Sequence, residues 1–236
     1  PYFYVDDLNG KYKSIYNEPL KKIYTTASGD VIEERKKYGR SFESNIRFVQ
    51  RYLIDRVPVP FPKRNLRLCF IDIETDDSLN TNLTPKPLTC VSFYDSYSKK
   101  YAVFVWQDGL NGIIEKSEEI NIYKFDNELH MISNILKFIQ AIDPDLLIGF
   151  NTDFDLGYLI NRAKRLQLYP NIISPMNYTK IDRWGVKVYG RVVFDMKKGY
   201  RTNFNDKNLG IYNLDNIAKH VLGRGKKEIG ITPGEL

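Results

Sequence analysis

At 236 residues, 42% hydrophobic and 14% aromatic, the chain can bury one large core or two modest ones. Its formal charge of +6, from 35 Lys and Arg against 29 Asp and Glu, is compatible with a polyanionic partner without requiring one. No stretch is apolar enough for a bilayer span, no charged-then-apolar leader opens the sequence, and Cys69 and Cys90 lack zinc-site or disulfide-framework spacing. These features predict a reduced intracellular protein with core thiols and no membrane partner.

In chain order, strand-like "YFYV" and a second apolar–polar stretch near "KKIYTTASG" open a first block. "SFESNIRFVQRYLID" follows, with Ile46, Val49 and Leu53 at helical spacing. The three prolines of "RVPVPFPKRN" can neither continue a helix nor sit inside a sheet, so they mark a linker. Residues 1–65 therefore form a small N-terminal domain with its linker, and residues 66–236 a second domain. There, "LRLCFIDIE" is a continuously apolar buried strand, and "PLTCVSFYDS" and "KYAVFVWQ" form an antiparallel hairpin. "NELHMISNILKFIQAID" places Ile132, Ile135, Leu136 and Ile139 on one helical face. "DLLIGFN" is a short strand. "DLGYLINRAKRLQL" is a helix with Leu156, Leu159, Ile160 and Ala163 on one stripe, and "RVVFDM" is a fifth strand. "NLDNIAKHVLG" is a last helix, with Asn213 as N-cap and Gly223 as its stop. Three strands, a helix, then strand–helix–strand–helix predict an α/β fold, a mixed sheet flanked by helices.

The chemistry centres on the carboxylates. Residues two apart on a strand point the same way, so Asp72 and Glu74 share a face. Like charges that close repel each other, and a hard divalent cation with oxygen ligands relieves the repulsion. The plainer alternative is a strand that ends in solvated acids. In "DPDLLIGFNTDFDLGYLINRA" a strand ends at Asn151 and a helix begins near Asp153, with Thr152 or Asp153 available as an ordinary N-cap. If the two strands are neighbours, Asp155 joins Asp72 and Glu74 at one sheet edge. Three carboxylates there can hold two metals for phosphodiester cleavage.

"FIDIET" together with "DPDLLIGFN" and the following Phe154–Asp155 resembles the first two exonuclease motifs of the DEDD superfamily, as arranged in archaeal-type family B DNA polymerases. "PYFYV", "IRFVQRYLIDR", "GRVVFDM" and "YNLDNIAKHVLG" resemble further segments of that family in the same order, so the likeness covers nearly the whole chain. The resemblance implies a ribonuclease H-like domain for 3′→5′ proofreading, preceded by a small α+β domain. Asp72, Glu74 and Asp155 match the catalytic, metal-binding acids for Mg²⁺ or Mn²⁺, a two-metal site in the full enzyme. Asn151 and Phe154 match positions beside the primer 3′ end. The family spaces its second motif one residue wider, which leaves Asp153 as an alternative to Asp155; the preceding Phe154 favours Asp155. The implied partners are single-stranded DNA at the primer terminus and the rest of a polymerase, in cis or as a separate subunit.

The family's third motif, Tyr-x-x-x-Asp on a later helix, is not met after "HVLG", and Tyr212 is followed four residues on by Asn216. No polymerase signature is present either. A fragment with little activity alone and weak or single-metal occupancy is therefore expected. The rival reading is a non-catalytic ribonuclease H-like module that binds DNA or serves as a scaffold. Among secondary features, the aromatic and basic residues of "FVQRYLIDR" and "KKGYRTNFNDKN" suit single strands but read first as half-buried surface. "GRGKKEIG" follows a helix and is no phosphate loop. His130 and His220 are expected at the surface or in packing, Trp106 and Trp184 partly buried, and Asp195 is an additional strand-end acid. Phe48 and Arg51 resemble part of the family's uracil-detecting pocket, but Arg47 replaces a proline and no uracil sensing is expected.

Overall fold

Alternation of buried and outward side chains builds the first strand, β1 (Tyr2–Asp6), in which Phe3 and Val5 are buried and Tyr2 and Tyr4 only half so. The computed structural model describes residues 1–57, 64–75, 86–109, 114–204 and 209–226. The chain divides into two compact units, Pro1–Arg64 and Asn65–Leu236. Residues 58–63 of the proline-rich segment lie outside the described residues, as does "GRGKKEIG" from Lys227 onward. Among the described residues no helix is long and apolar enough to cross a membrane.

In the first unit β1 pairs antiparallel with β3 (Pro19–Tyr24) and β4 (Ser41–Phe42), and β2 (Tyr12–Lys13) pairs with β3, giving the order β2-β3-β1-β4. Helix α1 (Asp30–Glu34) runs into a 3-10 turn, and α2 (Phe48–Arg56) follows β4. The helix expected from the spacing of Ile46, Val49 and Leu53 is present as α2, yet Val49 is 67% and Leu53 43% exposed, and the buried residue is Arg51. The reason is polar. The Arg51 guanidinium pairs with Glu43 at 2.7 Å, donates to the Tyr2 hydroxyl at 3.1 Å and lies over the Tyr2 ring.

In the second unit β5 (Leu68–Thr75), β6 (Leu88–Asp95) and β7 (Lys100–Trp106) form an antiparallel run. Beyond it lie β8 (Ile114–Lys116) and β9 (Ile120–Phe125), two strands the sequence pattern does not announce. Helix α3 (Glu128–Ile142) leads to β10 (Leu146–Gly149), which lies parallel to β5, and then to α4 (Thr152–Arg165). A hairpin, β11 (Thr179–Asp182) with β12 (Gly185–Val188), precedes β13 (Val192–Asp195), which pairs parallel with β10. Helices α5 (Met196–Phe204) and α6 (Leu214–Leu222) complete the described chain.

The seven strands run β13-β10-β5-β6-β7-β9-β8, the mixed sheet that the element order predicts. Ile132, Ile135, Leu136 and Ile139 of α3, and Leu156, Leu159, Ile160 and Ala163 of α4, share one core with Cys69, Ile71 and Ile73 of β5. Asn213 caps α6 by accepting the Asn216 N–H at 2.8 Å, and Gly223 ends the helix at φ +68°. Trp184 departs from expectation. At the tip of the β11–β12 hairpin it is 71% exposed, with the Arg183 guanidinium over its ring.

Candidate functional site

Strand β5 buries Cys69, Ile71 and Ile73, so the alternate positions Asp72 and Glu74 leave the core side together. Pairing with β6 jumps from Glu74–Cys90 to Thr75–Leu88, a bulge with Thr89 as the extra residue. Bulges re-aim side chains where they occur, and this one lies beside the acids. Asp72 reaches solvent, yet burial on its protein side pushes its carboxyl above the usual range, against the charge of Lys226 and the Ile73 backbone N–H.

Strand β10 is parallel to β5 on one side and to β13 on the other, with Gly149 in register with Asp195. The chain turns from β10 into α4 through Asn151, whose φ of +77° is left-handed, a conformation that asparagine tolerates. The Asn151 carbonyl accepts the Phe154 N–H at 2.8 Å, and Asn151 itself is exposed. Neither Thr152 nor Asp153 caps α4. The Thr152 hydroxyl donates to the Phe194 carbonyl at 2.9 Å, which ties this turn to β13.

The two candidate acids of the turn face different surroundings. Asp153 accepts the Val186 N–H at 2.7 Å and is ion-paired with Lys198, so it serves the hairpin and α5. Asp155 is only 4% exposed, and its Oδ2 accepts no hydrogen bond from the protein. Burial first, then repulsion from Asp72, Asp195 and Glu74, pushes its carboxyl up to about 7. Asp195, noted in the sequence only as an additional acid, belongs to the same electrostatic cluster. Its Oδ1 accepts the Lys198 N–H at 3.1 Å and its Oδ2 is likewise buried without a partner. The signal for it was the short "VVFDM" strand, legible only once that strand is known to lie beside "LLIG".

Gly149 makes room for this arrangement. A Cβ there would stand 2.8 Å from the Ile71 carbonyl oxygen, 3.0 Å from Thr152 Oγ1 and 3.2 Å from Asp155 Oδ2. Gly149→Ala is therefore expected to cost about 1–3 kcal/mol by overpacking, read as a lowered urea midpoint. An unchanged midpoint would show that the backbone yields there without strain.

Phe154 is 52% exposed, with its ring centroid 5.6 Å from that of Tyr158, leaving an aromatic step open to solvent. Among the described residues no three His, Cys, Asp or Glu side chains stand close enough together to hold one ion as arranged. The donor set nonetheless suits a hard cation: it is all oxygen, and two carboxylate oxygens are buried and unsatisfied. The cysteines do not join it. Both are free, and burial pushes the Cys69 thiol up to about 12 and the Cys90 thiol up to about 11. His130 is engaged at the surface by Asp126 and Asn127.

Residues 64–219 match the family model described as DNA polymerase family B, exonuclease domain. The DNA polymerase of Desulfurococcus sp. (strain Tok) is 31% identical over 231 residues, which cover 92% of this chain and 28% of that protein. The DNA polymerase of Pyrococcus glycovorans is 30% identical over 206 residues, covering 85% of this chain and 25% of its own length. DNA polymerase 1 of Pyrococcus abyssi is 28% identical over 232 residues, 92% of this chain and 28% of its own. The chain thus spans about a quarter of the length of these relatives. It belongs to the family B DNA polymerases, and the acids gathered around Asp155 lie in their exonuclease domain.

Proposed function

We propose that this chain performs the 3′→5′ proofreading hydrolysis of DNA within a family B DNA polymerase. The observation that carries the reading is the Asp155 carboxylate, buried, unsatisfied and pressed by three other acids. In a finished protein such a group has a charged partner, because an isolated buried carboxylate would take up a proton instead. Asp72, Glu74 and Asp155 would hold Mg²⁺ or Mn²⁺, and the bound metal would supply an activated water and stabilisation of the leaving oxygen. Asn151 and Phe154 at the mouth of the turn orient the primer 3′ end, Phe154 by stacking on the terminal base. The partners are single-stranded DNA and the remainder of the polymerase, in cis or as a separate subunit.

The test compares the 236-residue chain and the full-length polymerase on 3′-labelled single-stranded DNA with Mn²⁺, each beside its Asp72→Ala variant. Release of nucleoside monophosphates by the wild-type polymerase, lost in the variant, is expected. No release from either wild-type protein would sink the reading and favour a non-catalytic module. In the 236-residue chain, Mn²⁺ titration followed by electron paramagnetic resonance is expected to report weak or single-ion binding. Phe154→Ala is expected to weaken capture of the 3′ end by roughly tenfold, the lower part of the range for one lost base–aromatic stack.

A further inference from the structure

Helix α4 carries more than the acid. Phe154, Tyr158 and Arg162 are spaced four residues apart, so they share one face of the helix. Long side chains on a helix lean back toward its N-terminus, which brings the Tyr158 ring over the turn that carries Phe154. The two ring centroids are 5.6 Å apart and the ring planes are inclined at 49°. That tilt leaves a face of the half-exposed Phe154 open, and among the described residues Phe154 touches no other ring.

Tyr158 is held at its far end as well. Its ring packs against the core, and its hydroxyl donates to the Lys86 carbonyl at 2.6 Å, across 72 residues of sequence. Burial pushes the phenol above its ordinary value of 10, so the hydroxyl stays a donor at neutral pH. The acceptor is fixed in turn. Two residues on, the Leu88 N–H donates to Glu128 at 2.9 Å, and the Leu88 carbonyl accepts the Trp106 indole N–H. Arg162, one turn beyond Tyr158 on the same face, donates to both Glu128 oxygens. The segment that opens β6 thus grips α4 at Tyr158 directly and at Arg162 through Glu128. Phe154 stands at the open end of this row, one residue before Asp155. A half-exposed phenylalanine with no backing shares its time among several rotamers. A neighbouring ring anchored at both its backbone and its hydroxyl restricts that choice.

We propose that Tyr158 is a positioning residue for the primer 3′ end: its hydroxyl bond to the Lys86 carbonyl sets the ring that holds Phe154 in the orientation for stacking on the terminal base. The inference rests on the proofreading role given to Phe154 and adds to it the source of that ring's order. A side chain already in its bound rotamer loses little freedom when the base arrives, so preorganisation lowers the cost of binding. The benefit falls on capture of the strand and not on the chemical step, since Tyr158 acts through Phe154 and not through a metal-binding acid. A tyrosine present only to fill the core would need its ring and not its hydroxyl, and phenylalanine would serve as well.

The test uses the full-length polymerase with Tyr158→Phe, which keeps the ring and removes the bond, in the wild-type and Phe154→Ala backgrounds. In excision from single-stranded DNA with Mn²⁺, Tyr158→Phe is expected to raise KM by roughly twofold to tenfold, the cost of ordering one freed side chain, with kcat within about twofold of wild type. In the Phe154→Ala background the same change is expected to leave KM where it was, because the ring it orders is gone. With 2-aminopurine as the 3′-terminal base, in EDTA so that nothing is cleaved, Tyr158→Phe is expected to weaken the quenching that stacking on Phe154 produces. An equal rise in KM in both backgrounds, a fall in kcat with KM unchanged, or undiminished quenching would each overturn the inference. Failure of the underlying reading looks different and would take the inference with it: no mononucleotides from the wild-type polymerase, or KM and quenching untouched by Phe154→Ala alone.

Discussion

In metal-free buffer at pH 8, Asp155→Asn is expected to raise the stability of the folded chain, and in Mn²⁺ to remove exonuclease activity of the polymerase. Asp155 has its carboxyl pushed up to about 7 from an ordinary 3.8. Between those pH values the folded state holds a proton that the unfolded state has released. The unfolded state is therefore favoured progressively as pH rises from about 4 to about 7, and the loss is complete above that. Three units correspond to roughly 4 kcal/mol as a ceiling, which relaxation of the site reduces. The amide of Asn never ionises, so the variant escapes this loss. Urea midpoints at pH 4.5, 6 and 8 in EDTA test it: the difference between variant and wild type should grow with pH. A difference that stays flat or shrinks would refute the account of Asp155. The activity loss should be on the order of 10³-fold, the rate equivalent of several kcal/mol of metal-derived stabilisation. The same substitution thus separates the two properties: a gain in stability with a loss of chemistry marks a group retained for function.

Removing one partner of the buried Glu128–Arg162 pair is the larger structural perturbation. Glu128 is 7% exposed at the start of α3, and both of its oxygens accept from the Arg162 guanidinium of α4, at 2.7 and 2.6 Å. Its Oε1 also accepts the Leu88 N–H at 2.9 Å, which pins the start of β6 beside the bulge opposite Glu74. Arg162→Met leaves that carboxylate buried with a single backbone donor, and is expected to cost about 3–5 kcal/mol. Adding Glu128→Gln should recover much of the loss, since the neutral amide still accepts from Leu88 while needing no cation. Equilibrium urea unfolding of the two single variants and the double variant measures the coupling. A double variant less stable than Arg162→Met alone would show that the ion pair is not the source of the effect.

The parts of the fold that could be read from sequence are those where one chemical contrast decides orientation. "LCFIDIET" separates apolar and acidic residues between two faces, and the stripes of α3 and α4 do the same at helical spacing. Where the contrast fails, reading fails. Strand β9 lies near the sheet edge, only half-buried at Ile122 and Tyr123, with nothing to mark it against a loop. Helix α2 buries an arginine because Glu43 and Tyr2 await it, and neither partner is visible from the helix itself. The choice between Asp153 and Asp155 depends on Val186 and Lys198, more than thirty residues away in the chain. Asp195 entered the cluster through the parallel pairing of β10 with β13, a tertiary fact.

That last strand has a further consequence. Among the described residues β13 is the outermost strand on its side of the sheet, with Val192 54% and Phe194 45% exposed. An apolar edge with free backbone groups invites a strand from another molecule, the first step of self-association. Here the edge is four residues long and closes on Asp195, with Lys198 one turn later. An edge of four residues thus offers a second chain few backbone groups to pair with, which limits edge-to-edge association.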